Sequence, residues 1–240
     1  MNTKIDFEEL YTGFDAPMAA FDCGDRCAPY HDHGVPFCCD RQVVIPSAYQ
    51  DEWQYLRTQT DLWHLWQTQD SVLTEEIKNQ TSDGQVLIEC KGYQYCQRAY
   101  RSISCRAFPF FPYINPQGEF IGLAAYWEYR EQCWLISHLE VVTQAYIQAF
   151  MRTFKILFER MPEDKMHFIE FSAYMRSFYE NKRWQIPVLS TGRLAYKISP
   201  KTGEIRSIDI IRAPKFGIYK TAFELPFPGE FNFDDNDNGQ

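Results

Sequence analysis

Residues 90–110 read CKGYQYCQRAYRSISCRAFPF, a stretch in which three cysteines lead into a run of phenylalanine and proline. An earlier stretch, residues 23–39, holds four cysteines in the spacing C-x3-C-x10-C-C, and the eighth cysteine is Cys133. About 50 residues without cysteine separate the first two groups. Grouped thiolates of this kind bind soft metals and iron–sulfur clusters. The pattern therefore predicts a metal or cluster centre that draws on both groups.

Composition restricts the class of protein. A chain of 240 residues with 45% hydrophobic content can bury a full core without disulfides. We expect a cytoplasmic protein without a membrane span, because the first residues lack the features of a secretory signal and the longest apolar runs are too short. In that reducing compartment, metal explains eight cysteines better than four disulfides do. The net charge of −8 argues against a general affinity for nucleic acid.

Hydrophobic periodicity predicts an α+β fold, with helices packed on antiparallel β-hairpins. Turn sequences separate the strands of each hairpin: Asn-Pro-Gln-Gly at 115–118 and Pro-Lys-Thr-Gly at 200–203. The predicted hairpins are 107–115 with 119–129 and 193–199 with 204–212, and the predicted helices are 6–11, 139–159 and 162–184. Leucines and tryptophans three, four or more residues apart between Pro46 and Thr81 predict further helices, which would bring the two cysteine groups together.

The same patterns predict how the chain is divided. We expect a single domain over residues 1–230, with a cysteine-rich metal-binding part at 21–112 and a helix and hairpin platform at 113–230. Residues 231–240 are acidic, polar and poor in apolar groups, so we expect a disordered tail there.

The cysteine-rich part resembles the YkgJ-type family of zinc- or iron-chelating domains. In that family a terminal Cys-Arg-x-Phe-Pro motif follows two earlier cysteines, and an upstream segment ends in Cys-Cys. Here residues 105–109 read CRAFP and residues 38–39 are Cys-Cys. The resemblance covers about residues 21–112, although the loop between Cys27 and Cys38 is longer than the family's and contains two histidines. It implies metal binding and does not choose between zinc and iron. The expected ligands are Cys23, Cys27, Cys38, Cys39, Cys90, Cys96 and Cys105.

Three metal arrangements fit these residues. The first is an iron–sulfur cluster, most naturally [4Fe–4S], held by four thiolates. The second is a closed structural zinc site. The third is a mixed zinc site that adds His31 and His33, although paired histidines in a loop more often face solvent. The surplus of cysteines over the four ligands of one ion favours a cluster or two sites.

Neighbouring residues refine the expected site. Consecutive side chains of an extended segment point to opposite sides, so Cys38 and Cys39 are not expected to chelate one ion. Cys133, beside Trp134 and outside the motif, is expected to pack as a small apolar residue. Arg106 is expected to act at the cofactor by hydrogen-bonding a cluster sulfur or offsetting thiolate charge, with a salt bridge to a carboxylate as an equal alternative.

These patterns favour a soluble metal-binding protein whose C-terminal half offers a platform for a protein partner. One alternative is an enzyme that uses the centre for redox or Lewis-acid chemistry. The other is a structural zinc protein that acts in protein assembly. The sequence lacks phosphate-binding loops, dinucleotide-binding fingerprints and the common hydrolase motifs. It therefore gives no indication of nucleotide binding or of hydrolase activity.

Overall fold

The computed structural model describes residues 5–70, 84–192 and 194–220, together with Val72, Glu75, Ile77 and Thr81. Its fold is α+β, as predicted, with antiparallel sheets. The helices are α1 (Phe7–Gly13), α2 (Gly24–Cys27), α3 (Gln50–Gln59), α4 (Ile103–Ala107), α5 (Gln144–Arg160) and α6 (Pro162–Lys182). The strands are β1 (Ser47–Tyr49), β2 (Trp63–Leu65), β3 (Gln85–Cys90), β4 (Phe110–Ile114), β5 (Phe120–Ala125), β6 (Ile186–Ser190), β7 (Leu194–Ile198) and β8 (Ile205–Ser207). Within these residues, no helix combines the length and apolar character that crossing a membrane requires.

A five-stranded sheet in the order β4-β5-β6-β7-β8 forms the larger part of the fold. Both predicted hairpins are confirmed as β4–β5 and β7–β8. The first turns at Gly118, whose φ of +79° is readily adopted only by glycine, and the side chain of Asn115 accepts the backbone N–H groups of Gln117 and Glu119. Strand β6 was not predicted, because its short apolar run follows a long helix directly.

The two long helices cover opposite faces of this sheet. Helix α5 buries Phe150, Phe154 and Leu157 in the larger apolar cluster, which also contains Leu123 and Leu189 of the sheet. Helix α6 packs on the other face, with its buried residues Met175 and Tyr179 against Phe111, Ile186 and Val188. Pro162 begins α6, as predicted. Helix α5 begins later than predicted, because Thr143 caps it by accepting the N–H of Tyr146.

The segment between the cysteine groups differs from the prediction of helices alone. Strand β3 is the centre of a small sheet in the order β1-β3-β2, and the described helical residues within 46–81 are those of α3 together with Val72, Glu75 and Ile77. Strands of three residues are too short to show an alternating apolar pattern. Their apolar residues were therefore included in the helices predicted from hydrophobic spacing. Trp63 of β2 pairs with Cys90 of β3, and both residues line a cavity that Cys38 and Cys39 of the first cysteine group also line.

A single cluster of buried apolar side chains contains residues from Phe7 in α1 to Tyr219 near the end of the described chain. It therefore includes parts of both the cysteine-rich region and the helix and hairpin region. The predicted tail at 231–240 lies outside the described residues.

Candidate metal centre

All eight cysteines lie within the described residues, and all are free thiols. They line two neighbouring cavities. The large thiol cavity, of about 450 Å³, is lined by Cys23, Cys27, Cys38, Cys39, Cys105 and Cys133. The small thiol cavity, of about 30 Å³, is lined by Cys38, Cys39, Cys90, Cys96 and Cys105. Three cysteines line both cavities, so the two sequence groups meet in space, as expected from the pattern.

The thiols sit at the ends of short elements rather than within long ones. Cys27 ends α2, Cys90 ends β3, and Cys96 follows a 3₁₀ turn at Tyr93–Tyr95. No three of the eight sulfur atoms, all of which the structure describes, lie within 4.8 Å of one another. Rotation of a cysteine about χ1 moves its sulfur by about 3 Å. The arrangement is therefore open, and cysteines must change rotamer before several sulfurs can reach one ion.

Cys38 and Cys39 lie in a 3₁₀ turn at Phe37–Cys39, with their sulfur atoms 3.9 Å apart. The premise of an extended segment was therefore wrong, because the turn brings both side chains to one side. Two sulfurs on a tetrahedral ion with bonds of about 2.3 Å are about 3.8 Å apart. This separation allows the pair either to hold one ion between them or to place one sulfur in each of two neighbouring sites.

Hydrogen bonding makes the two thiols of this pair unequal. The two thiols are in hydrogen-bonding contact, in which either can donate, and this contact raises the pKa of Cys38 and lowers the pKa of Cys39. The guanidinium of Arg101 acts on Cys39 in the same direction, because a nearby positive charge favours the thiolate. Cys39 is thus the more readily ionised of the two.

Burial makes several other thiols hard to ionise. It raises the pKa of Cys23 and of Cys105 to about 12, and it also raises the pKa of Cys27 and Cys90. Burial, followed by the charges of Cys23 and Cys27, raises the pKa of Cys133. These groups carry protons at neutral pH in the metal-free protein. A bound cation must displace those protons.

Of the two expectations for Arg106, the structure shows the salt bridge, which the guanidinium makes to the carboxylate of Asp15 at 3.6 Å. The same guanidinium donates to the backbone carbonyls of Arg101 at 2.9 Å, Ala99 at 2.6 Å, Tyr11 at 3.2 Å and Phe14 at 2.5 Å. The side chain also lines the large thiol cavity and is 8% exposed. Arg106 therefore ties the end of α1 to the loop that carries the later cysteines.

The arginine that contacts sulfur is Arg101, whose Nε donates to Cys96 Sγ at 3.2 Å. Arg101 lines both thiol cavities, and Arg98 lines the large one. Arg98 also pairs with Asp22 at 2.5 Å, which joins the two cysteine segments. Sequence reasoning missed Arg101 because a position inside a loop gives no indication of which cysteine it faces.

Glu52 in α3 anchors the segment that leads to Cys105. It is fully buried and accepts three hydrogen bonds: from the Tyr11 hydroxyl at 2.6 Å, the Ile103 N–H at 2.6 Å and the Tyr49 N–H at 3.1 Å. Burial raises the pKa of Glu52 to about 7, against the effect of these donors. The carboxyl thus connects α1, α3 and α4 beside the thiols.

Cys133 lies with the other thiols and not alone. It lines the large thiol cavity together with Cys23 and Cys27, and it is only partly buried. It also packs against the larger apolar cluster, as expected, so its surroundings combine apolar contacts with neighbouring thiols. Its sequence position gave no spacing signal, because the β4–β5 hairpin separates it from Cys105.

Two histidines and an aspartate form a further cluster at the rim of this region. His33 Nδ1 lies 2.5 Å from Asp40 Oδ2, and His31 Nε2 lies 3.6 Å from the same oxygen. Among the described residues, these three are the only set of three or more His, Cys, Asp or Glu side chains whose ligand atoms all lie within 4.8 Å. Asp40 was not recognised in the sequence, since no motif marks it.

Comparisons with protein-family models, curated proteins and solved structures find no match for this chain. The resemblance to the YkgJ-type family therefore stays a prediction. What the chain does has to be inferred from the thiols, the arginines and the cavities themselves.

Proposed function

We propose that this protein binds a thiolate-ligated metal centre, with iron–sulfur as the favoured form. The observation that carries the proposal is the convergence of eight free thiols from separate segments on two neighbouring cavities. Cysteines that serve only as small apolar residues pack singly among apolar neighbours. Here all eight line the same pair of cavities, which packing alone does not explain.

The number of thiols favours more than one metal ion or a cluster. One tetrahedral ion takes four ligands, and a [4Fe–4S] cluster takes four cysteines. The large thiol cavity, at about 450 Å³, offers room for a polynuclear centre. Four thiolates around a divalent ion leave a net charge of −2, and Arg98, Arg101 and Arg106 line this cavity with positive charge.

We divide the thiols into two sets of four. Cys23, Cys27 and Cys133 line only the large thiol cavity, Cys90 and Cys96 line only the small one, and Cys38, Cys39 and Cys105 line both. We place Cys39 and Cys105 with the second group, because the charges of Cys39, Cys96 and Cys90 act on the pKa of Cys105, and Cys38 with the first, which gives each set four ligands. The first set is Cys23, Cys27, Cys38 and Cys133, and the second set is Cys39, Cys90, Cys96 and Cys105. The contact between Cys38 and Cys39 joins them.

Elemental analysis of the anaerobically purified protein tests the proposal. Iron with acid-labile sulfide and a broad visible absorption is the expected result, and a colourless protein without stoichiometric metal would contradict it. Stoichiometric zinc without sulfide would keep the thiolate centre and reject the cluster. Cys133→Ser and Cys90→Ser should each remove about half of the metal if two sets exist. Tyr95→Phe, on an exposed ring next to Cys96, is the matched control and should remove none.

A second candidate function is a metal-dependent enzyme, favoured by a third cavity. This cavity, of about 280 Å³, reaches Cys38 and Cys105. Its aromatic lining includes Tyr49, Phe108, Tyr126 and Phe168, and its polar lining includes Glu52, Gln85 and His167. An apolar cavity with a few polar groups is typical of sites for organic ligands. A metal beside it would be placed to carry out redox or Lewis-acid chemistry on such a ligand.

Binding of an exogenous ligand to the metal distinguishes the enzyme hypothesis from that of an electron carrier or a structural protein. Cyanide added to the metal-loaded protein should change its visible or paramagnetic resonance spectrum if a coordination position is open. An unchanged spectrum would argue for a closed centre. The expectation that residues 113–230 bind a protein partner stays a prediction, as does the structural zinc alternative.

A further inference from the structure

We propose that His31, His33 and Asp40 form a second metal site, which binds an exchangeable first-row divalent cation without any thiolate. This site goes beyond the thiolate centre, because its three ligands are two imidazoles and one carboxylate. Such a set, with the remaining positions open, is typical of non-haem Fe(II) and is also used by zinc.

The distances suit a common ion. With bonds of about 2.0–2.1 Å, neighbouring ligand atoms lie about 2.9 Å apart on an octahedral ion and about 3.4 Å apart on a tetrahedral one. The two distances from Asp40 Oδ2 are 2.5 Å to His33 and 3.6 Å to His31, on either side of that interval. The three ligand atoms all lie within 4.8 Å of one another, so side-chain shifts on the order of 1 Å would bring them onto a common cation.

The local chain holds the ligands before any cation arrives. Asp40 follows the 3₁₀ turn at Phe37–Cys39, and its Oδ1 accepts the N–H of Gln42 at 2.9 Å, which leaves Oδ2 to the histidines. The ring of His31 contacts the ring of Phe37 at 5.7 Å between centroids. The turn between the histidines and Asp40 uses Gly34 at a φ of +65°. The long loop between Cys27 and Cys38 thus folds back over Asp40.

Two existing contacts must change on binding. The hydrogen bond between His33 Nδ1 and Asp40 Oδ2, at 2.5 Å, is lost because both atoms become ligands, and the His33 ring proton moves to Nε2. His31 Nδ1 accepts the N–H of His33 at 3.4 Å, which places the His31 ring proton on Nε2. Coordination through Nε2 moves that proton to Nδ1 and breaks this hydrogen bond. At 3.4 Å the bond is longer than the usual range, so its loss costs little. The buried carboxylate, 5% exposed, gains a full positive charge beside it in return.

Access to the site comes from an open cavity of about 490 Å³, which His33 and Asp40 line. Cys39, Glu89 and Tyr93 line both this cavity and the small thiol cavity. The two cations also in its lining have partners, since Arg41 pairs with Glu89 and Lys91 pairs with Asp61. A cation at the histidines would therefore sit in contact with solvent and next to the thiols.

Cobalt(II) titration of the full-length protein, purified with its own metal under anaerobic conditions, tests the site. We expect one further cobalt ion per chain, with weak visible bands and no thiolate-to-cobalt charge transfer in the near ultraviolet. His33→Ala and Asp40→Asn should each weaken this binding by about tenfold or more. Asn keeps an oxygen for Gln42, and His33 is 49% exposed, so neither change should unfold the chain.

His64→Ala is the matched control, because His64 is 54% exposed and lies 3.4 Å from Glu89. It should leave the cobalt binding unchanged. Absence of the additional ion, equal binding in His33→Ala and Asp40→Asn, or equal loss in His64→Ala would each overturn the site. Charge transfer from sulfur would also overturn it, because the cobalt would then be on the cysteines. The proposal of a thiolate centre is tested independently, by the metal content of the protein as purified.

Discussion

Replacing Glu52 by glutamine should flatten the pH dependence of stability between pH 5 and pH 8. Burial raises the pKa of Glu52 from 4.5 to about 7, so the folded state holds this proton more tightly than the unfolded state does. A raised pKa means that the stabilisation is complete below pH 4.5 and is lost as the pH rises through 7. Ionisation of Glu52 therefore destabilises the native protein progressively across this window.

The size of the effect follows from the two pKa values. The penalty is about 1 kcal/mol at pH 5 and about 3 kcal/mol at pH 8, since a tenfold difference in proton affinity corresponds to about 1.4 kcal/mol. Glutamine cannot ionise, but its amide group cannot accept the N–H of Tyr49 if its oxygen keeps the two bonds to Tyr11 and Ile103. That loss should cost about 1–3 kcal/mol at every pH. The wild type should thus lose about 2 kcal/mol relative to the variant between pH 5 and pH 8.

Urea unfolding of both proteins in the metal-loaded state, at several pH values, measures this difference. The pH dependence of metal binding is common to both and cancels. Tyr11→Phe removes a donor that favours the ionised carboxylate, so it should move the transition to higher pH. A difference between wild type and Glu52→Gln that stays constant from pH 5 to pH 8 would refute the reasoning, and it would mean that the three donors keep Glu52 ionised throughout.

Three further changes probe the site and the sheet. Arg101→Met removes the hydrogen bond to Cys96 and the charge beside the thiols, so metal affinity should fall about tenfold while Arg101→Lys retains more, as competition with a chelator would measure. Arg106→Lys should lower the unfolding free energy by about 2 kcal/mol or more in urea, because several buried carbonyls lose their donor, and an unchanged midpoint would contradict that role. Gly122→Ala places a Cβ 2.1 Å from the carbonyl oxygen of Leu189, so urea unfolding should show a loss of about 2 kcal/mol or more, and a neutral result would mean that β5 and β6 separate easily.

Local signals predicted the parts of the fold that local chemistry determines. The turn at 115–118 has glycine where the backbone φ is positive, and α6 begins with proline, whose fixed φ suits the first turn of a helix. Strands β1 and β2 have three residues each, and what defines them is pairing with β3, which is remote in sequence. Their existence depends on tertiary contacts, so hydrophobic spacing could not reveal them.

The candidate site shows the same limit. Spacing identified seven cysteines, because they recur within short segments. It could not assign Cys133, which reaches the large thiol cavity only after the β4–β5 hairpin has formed. Adjacency left Arg106 with two equal roles, at sulfur or at a carboxylate, whereas the loop geometry turns Arg101 toward Cys96 and turns Arg106 toward Asp15 and backbone carbonyls. Which side chain faces a sulfur is a three-dimensional property.

The order of the thiols along the chain has a consequence for biosynthesis. Because a nascent chain emerges from the ribosome N-terminus first, Cys39, Cys90, Cys96 and Cys105 are all exposed before Cys133 is. On the proposed division, the second set of four is complete at that stage, and the first set still lacks one ligand. Maturation would then be vectorial: one centre can be filled during translation, and the other must wait for the residues that follow the β4–β5 hairpin.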